Sequence, residues 1–225
     1  MDRKMYKACI FDLDGTLLNT LEAISYTTNL TIASRNMEPI EKEHFKVLVG
    51  DGAGKLIERA LKERGDEELK YYDEMLALYQ KNFALYSTYE VHPYEGILEL
   101  LAALKEMGLK IAVFSNKPHL RAIENVESVF GEGYFDHIQG EKTGILPKPD
   151  PTGAYEVLNS LDLTKEDCLY IGDTNTDMMT GRNAGFDTVG VTWGFREEEE
   201  LRSFAPAYIV HHPMEIVDIV KAADK

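Results

Sequence analysis

Cysteine is scarce in this chain of 225 residues: Cys9 and Cys168 stand far apart, each beside an apolar run. That excludes a disulfide framework and a Cys-x-x-Cys metal site, and leaves two buried thiols as the expectation. Long apolar runs are missing too. No stretch approaches the ~18 consecutive apolar residues of a membrane span, and the opening MDRKMYKACIF holds too short an apolar segment for a secretory signal. The cytoplasm is the expected compartment. Basic charge is in deficit, with 24 Lys and Arg against 39 Asp and Glu and a formal net charge of -15. Such a field argues against nucleic acid or an anionic membrane as partner, and an anionic ligand would need a local cation to overcome it. The six histidines, His211 and His212 among them, show no metal-ligand spacing and read as surface or capping residues. Repeats, low-complexity tracts and long linkers are lacking, and REEEEL at 196–201 reads as a solvated face.

What is present is an ordinary globular composition, 44% hydrophobic and 28% charged, in a chain long enough for one large domain or a core carrying a smaller one. Five short apolar runs predict buried strands: KACIF (7–11), KIAVF (110–114), CLYI (168–171), TVGVT (188–192) and AYIV (207–210). Helical patterns lie between them, as in GILELLAALKEMG (96–108), DPTGAYEVLNSLD (150–162) and DMMTGRNAGF (177–186). Strands alternating with helices imply an α/β fold, a doubly wound parallel sheet covered on both faces. Residues 17–92 break the alternation, with helix signals and no convincing strand. They predict an all-helical cap inserted after the first strand, with residues 1–16 and 93–225 forming the α/β core. In the cap, Leu69, Tyr72, Leu76, Tyr79, Phe83 and Tyr86 recur at spacings of three and four, a stripe expected to pack inside a helical bundle.

Ligands of an open parallel sheet bind beyond the carboxyl ends of its strands. The residues placed there are Asp12, with Asp14 two further on, then Ser115, then Asp173 with Asp177, while Lys148 sits between two prolines in LPKPDP. Crowded carboxylates repel one another unless a cation neutralises them. An all-oxygen set with room for water and substrate suits Mg2+ better than zinc. Phosphoryl transfer uses such a site, with an Asp carboxylate attacking phosphorus while Mg2+ and a lysine offset charge. Asp12 fits the nucleophile and Asp14 the acid and base that serve the leaving oxygen and the water. The pair alone is a weak signal; the ordered set DLDGT, FSN, KPDP and GDTNTD is far more specific.

That set resembles the haloacid dehalogenase-like hydrolases over nearly the whole chain, specifically their phosphatase branch with a helical cap after the first strand. The resemblance implies that Asp12 is the phosphorylated nucleophile and Asp14 the general acid and base. It implies that Ser115, with Asn116 beside it, binds the transferring phosphoryl group and that Lys148 stabilises the charge on Asp12. Asp173 would ligate Mg2+ with the Asp12 side chain and the Asp14 backbone carbonyl, and Asp177 would support the metal's water shell or orient Lys148. VGDGAGKLIERAL, FSNKP, KPDP and GDTNTDMMTGRNAGF are most similar to phosphoglycolate phosphatases, which implies a small phosphorylated metabolite as the partner; a monomer or homodimer is the expected working form. Enzymes acting on pyrophosphate, nucleotides or sugar phosphates, and β-phosphoglucomutase, share most of these motifs. LLNT after the first motif and HPYEGI at the cap exit depart from the pattern. A phosphate-responsive binding or regulatory protein is the alternative of another class, disfavoured because a passive binder needs no acid at the leaving group.

GDGAGK (50–55) looks like a nucleotide P-loop but fails its spacing, with Val49 where a glycine is required and Leu56 where Ser or Thr is required. A glycine-rich turn opening a helix can still offer N–H groups to an anion. Lys55 and Arg59, four apart on that helix, are expected to bind the non-reacting end of the substrate, against the equally simple reading of two solvated cations. Connections near residues 17–20 and 92–96 are expected to let the cap open and close.

Overall fold

The computed structural model describes residues 5–223; residues 1–4 and 224–225, which the sequence reading includes in the core, lie outside the described residues. In chain order the elements are β1 (Ala8–Phe11), β2 (Leu18–Asn19), α1 (Leu21–Ala33), α2 (Phe45–Leu48), α3 (Gly52–Glu63), α4 (Tyr72–Tyr86) and β3 (His92–Pro93). There follow α5 (Ile97–Glu106), β4 (Lys110–Pro118), α6 (His119–Phe130), β5 (His137–Glu141), α7 (Thr152–Leu161) and β6 (Cys168–Gly172). The chain closes with α8 (Asn175–Ala184), β7 (Asp187–Val191), α9 (Glu198–Ser203), β8 (Tyr208–Val210) and α10 (Glu215–Ala223).

Six strands form a sheet in the order β5-β4-β1-β6-β7-β8, and every neighbouring pair runs parallel. The alternating pleat explains why the runs are apolar throughout. Cys9, Phe11, Ile111, Val113, Leu169 and Ile171 join a cluster with Leu100 and Leu104 of α5, Val126 of α6 and Val217 of α10. Ala8, Ile10, Ala112, Phe114 and Tyr170 belong to a second cluster with Ala154, Val157 and Leu161 of α7 and Ala184 of α8. The sheet is thus a filling between two helical layers.

From β1 the chain moves out to β4 and β5 and then crosses back to β6 on the other side. The order reverses at the carboxyl end of β1, where such sheets open a crevice. Asp12 stands there, and its backbone N–H donates to the Ile171 carbonyl at 2.8 Å.

Residues 21–83 build a third apolar cluster, among them Leu21, Ile32, Phe45, Ile57, Leu61, Met75, Tyr79 and Phe83, joined from the core by Phe195. Two features differ from the sequence reading. The segment is bounded by a short antiparallel pair, Leu18 opposite Pro93 and Asn19 opposite His92, each strand too short to leave an alternating pattern. The aromatic stripe also shifts: Leu69 precedes α4 with φ of 56°, and Met75, Tyr79 and Phe83 are the buried face.

Candidate active site

β1 delivers Asp12 and, two residues on, Asp14, which leads into a tight turn over residues 15–17. Gly15 carries the turn at φ of 90°, and an added Cβ would lie 2.3 Å from Asp173 Oδ2. Glycine is required there on both counts. Beyond Phe114, β4 continues through Ser115, Asn116 and Lys117 instead of stopping where the apolar run stops, with its pairing to β5 shifted between Phe114 and Pro118. Asp173 follows β6, and Thr174 caps α8: its hydroxyl accepts from the Asp177 N–H, while Asp177 Oδ2 accepts from the Thr174 N–H and hydroxyl at 3.0 and 2.6 Å. The capping box fixes Asp177 facing inward.

Lys148 draws these elements together. Its Nζ donates to Asp12 Oδ1 and Asp177 Oδ1, each at 2.7 Å, and to the Phe114 carbonyl and the Tyr170 hydroxyl, each at 3.2 Å. The lysine's backbone is held by Asn116, whose Oδ1 accepts from the Lys148 N–H at 2.7 Å and whose Nδ2 donates to the Lys148 carbonyl at 3.1 Å. Asn116 therefore positions the lysine as well as facing the cavity. Burial opposes the ammonium charge, but Asp12 and Asp177 overcome it and hold Lys148 above its ordinary value.

The carboxylates outnumber the cation beside them. Burial above all holds the Asp12 carboxyl well over the usual range; Lys148 works against this, while Asp177 and Asp173 add to it. Burial, then the charge of Asp177, pushes Asp173 up to about 7, against the Phe195 N–H and the Thr16 hydroxyl that donate to it at 2.7 and 2.8 Å. Asp12, Asp173 and Asp177 each offer an oxygen within 4.8 Å of the others. Three carboxylates against one ammonium leave two negative charges, which one divalent cation would neutralise, so this donor set fits a hard metal ion. Each Asp177 oxygen accepts two hydrogen bonds, Oδ1 from Lys148 and Tyr170 and Oδ2 from the Thr174 N–H and hydroxyl, whereas each Asp173 oxygen accepts one, so Asp12 and Asp173 keep more lone-pair capacity to hold it.

Asp12, Asp14, Ser115 and Asn116 line a cavity of about 50 Å3. Its far wall comes from the helical segment: Ile24, Val49, Gly50, Gly52, Ala53, Leu56, Tyr79 and Phe83. Tyr79 and Phe83, stacked with centroids 5.2 Å apart, are thus cavity wall as well as packing. Lys55 and Arg59 are not brought to the cavity. Lys55 is exposed and paired with Glu58 at 2.7 Å, and Arg59 binds Asp51 and the Leu48 carbonyl. The buried stripe of α3 is Leu56, Ile57, Ala60 and Leu61, which leaves Lys55 exposed and Arg59 half-buried beside Asp51. Lys117 is the residue the sequence reading missed. Its Nζ is 2.8 Å from Asp14 Oδ1 and 4.8 Å from the Phe83 ring centroid, and FSNKP placed it one residue past Asn116.

Residues 9–191 match the family model described as haloacid dehalogenase-like hydrolase. The chain belongs to the haloacid dehalogenase-like hydrolases. Among relatives in this family, the phosphoglycolate phosphatase of Rhodospirillum rubrum is 34% identical over 202 residues, covering 86% of this chain and 83% of its own length. The N-acetylmuramic acid 6-phosphate phosphatase of Pseudomonas aeruginosa is 31% identical over 232 residues, covering 99% and 98%. A crystal structure from Lactobacillus delbrueckii subsp. bulgaricus, carrying the provisional name phosphoglycolate phosphatase, superposes with a TM-score of 0.89 at 30% identity over 96% of this chain and 98% of that one.

Proposed function

We propose that this phosphoric monoester hydrolase of the haloacid dehalogenase-like family works with Mg2+ through an aspartyl-phosphate on Asp12, and that its substrate is a small anionic ester, 2-phosphoglycolate. The observation that carries the chemistry is the pairing of two acids with two lysines at the mouth of β1: Asp12 with Lys148 at 2.7 Å, Asp14 with Lys117 at 2.8 Å. Asp12 Oδ attacks phosphorus and the P–O bond to the leaving group breaks; Asp14 passes its proton to the departing oxygen, then takes one from the water that cleaves the acyl phosphate. The Ser115 hydroxyl and the Lys117 ammonium face the phosphoryl oxygens. Asp12, Asp173 and the Asp14 carbonyl would hold Mg2+, which would supply charge neutralisation for the phosphoryl group.

Two features support a small substrate. The cavity, at about 50 Å3, has room for a few water-sized groups. α3 begins at that wall, and the Asp51 side chain before it makes no cap, because it is turned to Thr176 and Arg59. The first N–H groups of α3 are therefore left to take a carboxylate, a role reassigned here from Lys55 and Arg59. The test is phosphate release from 2-phosphoglycolate, pyrophosphate, nucleotides and sugar phosphates side by side, with and without Mg2+. A kcat/KM preference for 2-phosphoglycolate is expected. Mg2+-dependent but unselective turnover would keep the chemistry and discard the substrate, and conversion of glucose 1-phosphate to the 6-phosphate would mark a mutase.

A further inference from the structure

The loop before α3 is held to the core at three points, and the anchors lie at or beyond the carboxyl ends of three different strands, β4, β6 and β7. Asn116, after the apolar run of β4, donates to the Gly50 carbonyl at 3.2 Å. Thr176, in the first turn of α8, donates its hydroxyl to Asp51 Oδ1 at 2.6 Å. Arg196, beyond β7, donates to the Lys46 carbonyl and, at 2.8 Å, to the Val49 carbonyl. The Arg196 side chain is nine-tenths buried, and its Nε faces Glu200 Oε1 at 3.4 Å.

The segment that carries Arg196 is itself built onto the Asp173 carboxylate. Phe195 N–H donates to Asp173 Oδ2 at 2.7 Å, and Gly194 lies so close that an added Cβ would sit 2.4 Å from that oxygen. The Trp193 indole donates to the Thr16 carbonyl at 3.0 Å, and the Thr16 hydroxyl donates to Asp173 Oδ1 at 2.8 Å. One short stretch, 193–196, thus meets Asp173 directly through Gly194 and Phe195, reaches its partner Thr16 through Trp193, and grips the cap loop with Arg196.

We propose that Arg196 is a positioning residue that couples the state of Asp173 to closure of the helical cap. A guanidinium suits this, because its fork reaches two carbonyls of one loop at once, which the single ammonium of lysine does not. The inference rests on the Mg2+ site of the proposed function, but it concerns this chain's own contacts and is tested without turnover. Metal binding to Asp173 orders 193–196, Arg196 then holds Lys46 and Val49, and Gly50 and Gly52 close over the cavity.

The experiment is hydrogen exchange of residues 46–53, with and without Mg2+ alone, in the wild type and in Arg196→Gln, beside the fluorescence of Trp193, the only tryptophan. In the wild type, Mg2+ is expected to change the Trp193 signal and slow exchange in 46–53 by about tenfold or more. In Arg196→Gln the Trp193 response persists while the protection of 46–53 is lost, and KM rises more than kcat falls. Thr176→Val, which removes only the bond to Asp51, serves if the arginine variant fails to fold, and is expected to lose part of the same protection. Equal metal-induced protection in wild type and variants overturns the coupling. A wild type that shows the coupling but releases no phosphate from any ester would instead overturn the proposed function and leave the latch standing.

Discussion

Asp14 is the residue whose proposed chemistry as acid and base would separate hydrolysis from mere phosphate capture. It is held at 2.8 Å by Lys117, a lysine the sequence offers in plain view but whose partner only the extension of β4 reveals. Asp14→Asn is expected to fold normally and to lose about 10^2 to 10^4 in kcat, the usual contribution of a positioned acid and base; steady-state kinetics beside a circular dichroism spectrum checks this. Asp12 and Asp173 predict a pH dependence as well. Both are pushed upward when buried, Asp173 to about 7, whereas the unfolded chain titrates near about 4. The native state therefore binds more protons than the unfolded state within that window, and stability is lost as pH rises through it. Thermal unfolding of the chelated protein is expected to show Tm falling as pH climbs toward about 7, and saturating Mg2+ is expected to remove most of that fall. A Tm that is flat with pH in chelator would contradict the crowding of carboxylates.

Elements were legible where an apolar run was long enough to be buried on both faces. β1, β4, β6, β7 and β8 all begin within a residue of their runs. β5 left no such trace, because HIQGE holds one aliphatic residue and lies at the sheet edge with only β4 beside it. The carboxyl end of β4 was hidden for the opposite reason: Ser115, Asn116 and Lys117 are polar and buried, a combination that periodicity reads as loop. Side-chain direction on α3 was equally beyond the pattern, since Lys55 and Arg59 share a face on paper but lie outside the stripe that meets the cavity. The loop after β7 gives a prediction at this scale. Gly194→Ala would press a methyl group onto Asp173 and the Gly15 carbonyl at 2.4 Å, so it is expected to cost about 1 to 3 kcal/mol by overpacking and to weaken Mg2+ binding, measured by denaturant unfolding and metal titration. Unchanged stability and metal affinity would mean the loop does not rest on Asp173.

At the scale of the whole molecule, a sheet whose order reverses at β1 supplies the proposed nucleophile, Asp12, and a helical segment inserted beside it supplies the far wall of the cavity. On the proposed function the acidic surface does not oppose an anionic ester, because Lys117 and Lys148 lie beside Asp14 and Asp12, both buried, where solvent screens them little. Among the described residues no helix is long and apolar enough to cross a membrane. The central claim is that Asp12 is transiently phosphorylated. Its most direct test is to quench the enzyme during turnover of 2-phosphoglycolate with Mg2+, reduce with borohydride and map the peptides. The account predicts a substrate-dependent conversion of residue 12 to homoserine, absent without Mg2+; efficient phosphate release with residue 12 unmodified, or with the label on another residue, would contradict it.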